Sequence, residues 1–591
     1  MYWSIRHLTC FSTVRIPVIS LSYLDSICGI AQDGLICHRI WPWRAFARII
    51  TAVLWTVLLA AAEPSRSPTR GGGASVPMDS WMYPALDRLA ALGYVPSQIA
   101  GVRPWTRAEV RRQVDEASAV AERKGPEADR QALDLLEALR TEFVQDAVAG
   151  PTVSVDSVYF RAGAIGGAAL TDGYRLGQTW RNDFGRPFGQ GAMVNAGVVA
   201  RVDAGRFFGF VRGEYQRAPA VAEAANDVRE WMRRADALPV APNVGRSGVD
   251  RLRVLEAYAG VRWGNVAVSA GQQSLYWGPG AEAPLSFSDN AEPTRNLKIS
   301  TVSPFALPGV LRRLGRIRAE FAMGTLGGHA YTSRPWFNAQ KISFKLTENL
   351  EAGFTRWSIF WGVGHPATLG SFARNFTSLV SPVANSYVDP RDPGDRKGGF
   401  DFRYRVAGLR EWVTLYSDSY SEDDPSPLAA PRRAAMSPGI WLTKLPGAPR
   451  MDLRVDVAST MPFGVDPGGQ FNYFNGQYRS GNTNYGVLLG NPVGRDGRAV
   501  TARTSYWLTP RRRLEFAYRQ SKVSPQFLPG GGTQTDGTVR MWAQVRAHWV
   551  VTAMVQHERF LIPLLGGAQR NVSGTLQLAW EPHRSAALFR R

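Results

Sequence analysis

Apolar and polar residues alternate with a period of two along most of this chain, the signature of strands with one oily and one wet face. The stretch from Thr538 to Phe560 shows it most plainly. Val539, Met541, Ala543, Val545 and Ala547 share one face, and Arg540, Trp542, Gln544, Arg546 and His548 share the other. After a turn near His548 and Trp549 the alternation resumes less cleanly, because the odd positions are Ala553, Val555, His557 and Arg559, which do not fix the register of the return strand. Phe400, Phe402, Tyr404 and Val406 alternate with Asp401, Arg403 and Arg405; Ile317, Ala319, Phe321 and Met323 with Arg316, Arg318 and Glu320. Leu453, Val455 and Val457 alternate with Arg454 and Asp456, and Leu514, Phe516 and Tyr518 with Arg513, Glu515 and Arg519. A soluble sandwich also alternates, but single cores rarely grow past about 250 residues. Here the rows recur from Val153 to Trp580. They predict an all-β transmembrane barrel over 151–580, its oily side on lipid, its polar side lining a lumen, and no strand edge left open.

Connection lengths support that architecture. Short turns are expected at Asp203-Ala204-Gly205, Gly264-Asn265, Glu348-Asn349, Gly408-Leu409, Thr509-Pro510 and His548-Trp549. Longer connections fall between them, near 164–192, 218–250, 274–295, 361–398, 420–437, 459–470 and 522–537. Bacterial outer-membrane barrels place short turns in the periplasm and long loops outside. Counting alternating segments gives close to twenty strands, with 471–497 the hardest stretch to assign. The last strand is Thr575 to Trp580, where Leu576, Leu578 and Trp580 share a face, and 581–591 reads as a tail.

Ahead of the strands the period changes to that of helices. Asp79 is placed to cap a helix through Leu92 that carries Met82, Leu86 and Leu89 and stops at Gly93. Thr106 and Glu109 form a capping box for a second helix. A third is expected from near Pro126, presenting Leu133, Leu136, Leu139 and Phe143. Together these predict a small periplasmic helical bundle at 79–149, with packing against the barrel as the way to bury its stripes.

The amino terminus reads as an export signal. Ile49 to Ala62 is apolar, follows Arg44 and Arg48, and ends in Ala60-Ala61-Ala62. The run is too short to span a bilayer as a helix. Residues 1–62 are therefore taken as an upstream extension plus signal peptide, with 1–43 suggesting a start site placed too early, and 63–78 as a linker. Cys10, Cys28 and Cys37 all precede the expected cleavage, so disulfides are not expected in the exported chain. The mean hydropathy of -0.19 argues against a helical membrane bundle and suits alternating strands.

A net charge of +20, carried mostly by arginine, suits an anionic partner such as an acidic polysaccharide or lipopolysaccharide phosphates. A GC-rich coding bias toward arginine explains it equally. The charges run along strands and do not gather in a patch, so nucleic acid is not expected. Neither a Gly-x-Ser-x-Gly elbow, a Walker loop nor a His-Glu-x-x-His motif occurs. His329, His365, His548, His557 and His583 lack metal-ligand spacing. No catalytic residue, metal or cofactor is expected. Binding residues are sought in the loop from Gln272 to Arg295, where Tyr276 and Trp277 would stack on sugar rings and Asp289, Asn290 and Arg295 would bond hydroxyls or carboxylates. A membrane-interface girdle is the competing role for the two aromatics. Arg432 and Arg433 would meet an anionic polymer or bridge lipopolysaccharide phosphates.

Several motifs carry a resemblance. Asp79-Ser80-Trp81, Tyr83-Pro84-Ala85-Leu86, Arg103-Pro104-Trp105-Thr106 and the run from Gly271 through Tyr276-Trp277-Gly278-Pro279-Gly280 are similar to the Wzi capsule assembly family. Leu415-Tyr416-Ser417-Asp418, Asp423-Asp424-Pro425-Ser426-Pro427-Leu428, Pro431-Arg432-Arg433 and Pro529-Gly530-Gly531-Gly532-Thr533-Gln534 extend the likeness, which covers about Pro77 to Trp580. The resemblance implies an eighteen-stranded outer-membrane barrel with a periplasm-side helical bundle, acting as a lectin that holds capsular polysaccharide or exopolysaccharide at the cell surface. The strand count above would then be one hairpin too high. A monomer inserted by the barrel assembly machinery is expected, with outer-membrane lipid as its surroundings. Two other readings stand beside it. One is a diffusion channel. The other is an envelope tether acting through the helices, because Tyr83 to Val114 also resembles a surface-layer homology repeat, although a capping box explains most of that match.

Overall fold

Strands formed by the alternating rows wind around an axis until the last meets the first. The computed structural model describes residues 72–143, 151–377, 394–422, 434–462, 468–582 and 584–587. The expected signal peptide, the three cysteines, most of the linker, Asp423 to Arg433 and His583 lie outside the described residues. In chain order the strands are β1 (Thr152–Gly167), β2 (Gly191–Ala204), β3 (Phe207–Ala218), β4 (Val249–Trp263), β5 (Val266–Gln273), β6 (Thr294–Thr301), β7 (Arg316–Thr325), β8 (Trp336–Lys345) and β9 (Leu350–Phe360). They continue with β10 (Asp395–Arg405), β11 (Val413–Glu422), β12 (Ala435–Leu442), β13 (Met451–Ser459), β14 (Gly497–Thr509), β15 (Arg512–Val523), β16 (Gly532–Arg546), β17 (Trp549–Ile562) and β18 (Gly567–Trp580). Each pairs antiparallel with its chain neighbour. β18 pairs back onto β1, with Phe160 opposite Leu578, and this closes the barrel.

The count of close to twenty strands is therefore corrected to eighteen, the number the family resemblance implies. The stretch hardest to assign, 471–497, is no transmembrane hairpin. It is a loop folded inward, carrying only a two-residue pairing of Thr483–Asn484 with Val487–Leu488. The tail is corrected too: Arg584–Ala587 pairs with β1 opposite Thr152 to Val155. Every short turn expected from the sequence falls at one end of the barrel, together with both strand termini.

Burial shows which face meets what. Phe516 and Tyr518 are 46% and 55% exposed, whereas Glu515 and Arg519 on the same strand are 6% and 3% exposed. A soluble protein would show the reverse order. Exposed apolar side chains over a buried polar interior mean that the outer solvent is lipid. Phe207, Trp263, Trp549 and Trp580 project outward at the short-turn end, as an interfacial aromatic girdle does. The return strand β17 takes its register from Val539 opposite Val555 and Met541 opposite Ala553, so Ala553, Val555, His557 and Arg559 all face out.

The helical segment enters the lumen from the short-turn end. Its helices are α1 (Met82–Ala91), α2 (Arg107–Lys124) and α3 (Arg130–Thr141). Leu86, Leu89, Val110, Val114, Leu136 and Leu139 bury against one another and against Trp507 of β14. Thr106 caps α2, accepting from Glu109 N at 3.2 Å, but the Glu109 carboxylate turns to Arg112 and Gln113, so only half of the box forms. Asp79 does not cap α1. It reaches the barrel wall and pairs with Arg212 of β3 at 2.7 Å. α3 starts at Arg130 with Asp129 as its cap, after a 3-10 turn at Gly125–Glu127, and Leu133 faces out.

The long connection after β9 differs from a simple loop above the membrane. Its helix α4 (Leu369–Thr377) lies along the outside of the wall, where Ser358 Oγ donates to Asn375 Oδ1 at 2.8 Å. Ser358 faces outward because its neighbours Trp357 and Ile359 point into the lumen core. A polar stretch of outer wall is thus covered by the chain itself.

Candidate functional site

The lumen is filled from both ends, and the two fillings meet. From the short-turn end, the segment between α1 and α2 reaches up to Gly101. Glu351 of β9 accepts hydrogen bonds from Ala100 N at 2.9 Å and Gly101 N at 2.7 Å. Gly101 is required by close approach: a Cβ there would stand 2.8 Å from Asp401 Oδ1 and 3.0 Å from Glu351 Oε1. Arg403 of β10 donates to Gln98 at 2.7 Å, and Arg88 of α1 pairs with Asp452 of β13 at 3.1 Å. At the rim, Lys444 meets Asp129 at 2.8 Å and Lys124 meets Glu411 at 3.1 Å.

From the other end the loop 274–293 folds down. Arg103 N donates to Tyr276 O at 2.9 Å, Tyr276 N returns a bond to Arg103 O at 3.0 Å, and Gly278 N donates to Gly101 O at 3.0 Å. Plug and loop thus share a short antiparallel bridge inside the barrel. Around it Trp277 packs edge-on to Phe287 at 5.1 Å, and Phe287 lies 5.0 Å from Trp357 of β9. The inward loop 471–496 completes this layer. Ser288 N donates to Leu489 O at 2.7 Å, and Asn491 Nδ2 donates to Ala283 O at 2.7 Å.

This arrangement relocates the residues singled out in the sequence. Tyr276 and Trp277 are buried; the Tyr276 hydroxyl donates to Gly280 O at 3.0 Å and Trp277 Nε1 donates to Glu320 at 2.8 Å. Neither offers a ring face to an external sugar, and neither belongs to a membrane girdle. Asn290 is buried and donates to Leu488 O at 3.1 Å. Asp289 lines a chamber inside the lumen. Arg295, on β6, projects from the outer wall opposite Gln272 and Thr325. Arg432 and Arg433 lie outside the described residues.

The chamber holds about 560 Å³ between the plug, the inward loops and the wall formed by β1–β3 and β13–β18. Opposite charges line it. Asp183 bonds Arg161 and Arg186, each at 2.7 Å, and Arg181 bonds Asp536 at 2.9 Å. Burial alone would raise the Asp79 and Asp183 carboxyls, but Arg212 beside the one and Arg161 with Arg186 beside the other hold both below the usual aspartate range. Among the described residues Asp289 forms no ion pair. Enclosure, with the carboxylates of Asp79, Asp183 and Glu282 nearby, pushes it up to about 7.

A second surface was missed in the sequence. Where the loops after β7, β9 and β13 converge at the long-loop end, Tyr331, His365, Gln477, Arg479 and Tyr485 stand partly or fully exposed. His365 stacks on Tyr478 at 5.7 Å, and Arg479 lies 6.0 Å from the Tyr331 ring. Tyr485 is 48% exposed and holds a left-handed backbone with φ 52°, kept there by Tyr485 N donating to Gly327 O at 2.8 Å. A non-glycine residue in that region stores strain, and such residues concentrate at functional sites. Aromatic rings beside Arg and Gln side chains suit stacking on sugars and bonding to their hydroxyls and carboxylates. The residues come from three separate loops, so no local motif announces them.

Fold and site together define an outer-membrane β-barrel whose lumen is plugged from the periplasmic end and folded over from the other. The model of the family described as capsule assembly protein Wzi matches residues 161–572, and the chain belongs to that family. Among solved structures, the Escherichia coli outer-membrane protein Wzi, described as a carbohydrate-binding β-barrel involved in group 1 capsule assembly, superposes with a TM-score of 0.60 at 16% identity. The match covers 84% of this chain and 98% of that one. A Klebsiella pneumoniae protein known as an uncharacterized 55.8 kDa protein in the cps region is 25% identical over 181 residues, 30% of this chain. The chain spans only 35% of that relative's length. Pseudomonas aeruginosa OpdQ aligns at a TM-score of 0.40 and 9% identity, over 76% of this chain and all of that one.

Proposed function

We infer that this barrel is a lectin that binds capsular polysaccharide or exopolysaccharide and holds it at the cell surface, without covalent chemistry. The observation that carries the reading is the bridge of Arg103 and Gly101 to Tyr276 and Gly278, which fills the lumen where a channel needs a path. Family membership and the carbohydrate-binding description of the Escherichia coli structure support it. The proposed contact surface is the loop face of Tyr331, His365, Gln477, Arg479 and Tyr485, with Arg432 and Arg433 contributing charge. Tyr276, Trp277 and Asn290 serve instead to position the inward loop. The protein acts as a monomer, is inserted by the barrel assembly machinery, and meets lipopolysaccharide along its outer wall. The chamber is the one feature that favours a diffusion channel.

Binding of the purified full chain to an array of host surface polysaccharides tests this. The double variant Tyr485→Ala, Arg479→Ala is expected to lose at least about ten-fold in affinity, the loss of one stacked ring and one charge-assisted bond. Unchanged binding by the double variant would move the site elsewhere. No binding by the unaltered chain would remove the lectin reading.

A further inference from the structure

Five neighbouring strands, β14 to β18, expose an unusual row on their outer wall near the long-loop end. Arg498 of β14 stands directly opposite Lys522 of β15, and Arg559 of β17 stands directly opposite Arg570 of β18. All four are exposed and outward-facing. β16 joins the pairs through Thr533, opposite Lys522, and Thr535, opposite Arg559. The acids on these strands point the other way. Asp536 pairs with Arg181 in the lumen at 2.9 Å, and Glu558 accepts from Thr179 at 2.7 Å. Elsewhere on the outer wall, the outward Arg217 of β3 faces Asp250 of β4, so charge there is balanced.

Directly opposed side chains of like charge on antiparallel strands destabilise a sheet. Two such pairs within five strands call for a counter-charge from outside the chain. Their height says what it is. Along β17, Arg559 lies ten residues above Trp549, whose outward indole marks the inner interface. At about 3.3 Å per residue and a tilt near 40°, that rise is about 25 Å, the height of a barrel's apolar band. Below the row the outer wall is oily, with Phe516, Val539 and Val555. The cations thus sit at headgroup level in the outer leaflet, and arginine forks match phosphate oxygens in pairs.

We propose that β14–β18 form a docking site for a phosphorylated glycolipid of the outer leaflet, with one phosphate at Arg498 and Lys522 and another at Arg559 and Arg570. The site rests on the barrel's place in the outer membrane and is independent of what the loops bind. It is tested with the full chain in detergent by native mass spectrometry, offering bisphosphorylated lipid A, dephosphorylated lipid A, phosphatidylglycerol or inorganic phosphate. Bisphosphorylated lipid A is expected to stay bound. Retention should fall about ten-fold in Arg559→Gln, Arg570→Gln, and return in Arg559→Lys, Arg570→Lys. Should the glutamine variant fail to fold, Arg498→Gln, Lys522→Gln carries the same expectation from the second pair. Equal retention by glutamine variants and the unaltered chain would overturn the site. Equal retention of dephosphorylated lipid A would overturn the role of phosphate. Equal retention of phosphatidylglycerol, or saturation by inorganic phosphate alone, would overturn the commitment to a glycolipid.

Discussion

Asp289 shows how one residue can report on the enclosed lumen. Enclosure raises its carboxyl to about 7, against about 3.9 for an aspartate in an unfolded chain. A carboxyl raised on folding favours the folded state below the unfolded value, and that contribution is lost as pH rises through 7. Asp289→Asn should therefore melt higher than the unaltered chain at pH 8.5 and equally at pH 3.5, as read by heat-modifiable gel mobility in detergent. A difference that is the same at both pH values would mean that Asp289 is open to bulk water. The neighbouring Tyr276 and Trp277 mark where residue-level reading of the sequence stopped. Two aromatics followed by Gly-Pro-Gly look like a surface turn, because local sequence distinguishes oily from polar but not outside from lumen. The lumen is a third environment, packed like a protein core yet reached only through loops, and it is there that Trp277 finds Phe287 and Glu320.

The elements divide by how local their signals are. Alternation of period two made the strands legible, since lipid on one side enforces it residue by residue. The Thr106 cap was legible because a cap and its helix lie within one turn. What stayed hidden was decided by distant partners. Asp79 left its helix for Arg212, 133 residues away, because a buried arginine on the wall needs a carboxylate more than a helix end needs a cap. The stretch 471–497 was the hardest to assign from its sequence, because its aromatic residues Tyr473 and Tyr478 pack with Leu285 and Phe287 of the distant loop 274–293. The plug itself makes a prediction. Glu351 holds it through two charge-assisted bonds to backbone N–H groups, each worth about 1.5–3 kcal/mol. In planar bilayers the unaltered chain should pass no steady current. Gly101→Val, which pushes a side chain against Asp401 and Glu351, should admit intermittent openings. Steady current through the unaltered chain would show that the plug does not close the lumen.

At the scale of the molecule, three surfaces have separate jobs. The outer wall meets lipid, the filled lumen gives rigidity, and the loop face is the surface proposed for the polymer. A closed barrel removes every sheet edge, and filling it ties eighteen strands to one internal scaffold, so loops from distant strands are held in a fixed relation. Tyr331, His365 and Tyr485 owe their proximity to that scaffold and not to their neighbours in sequence. The account is tested most directly by the share of polysaccharide that stays on cells expressing the Tyr485→Ala, Arg479→Ala variant, compared at equal barrel content with cells expressing the unaltered chain. It predicts polymer shed into the medium while the variant barrel remains folded in the outer membrane. Polymer retained at the level of the unaltered chain would contradict it.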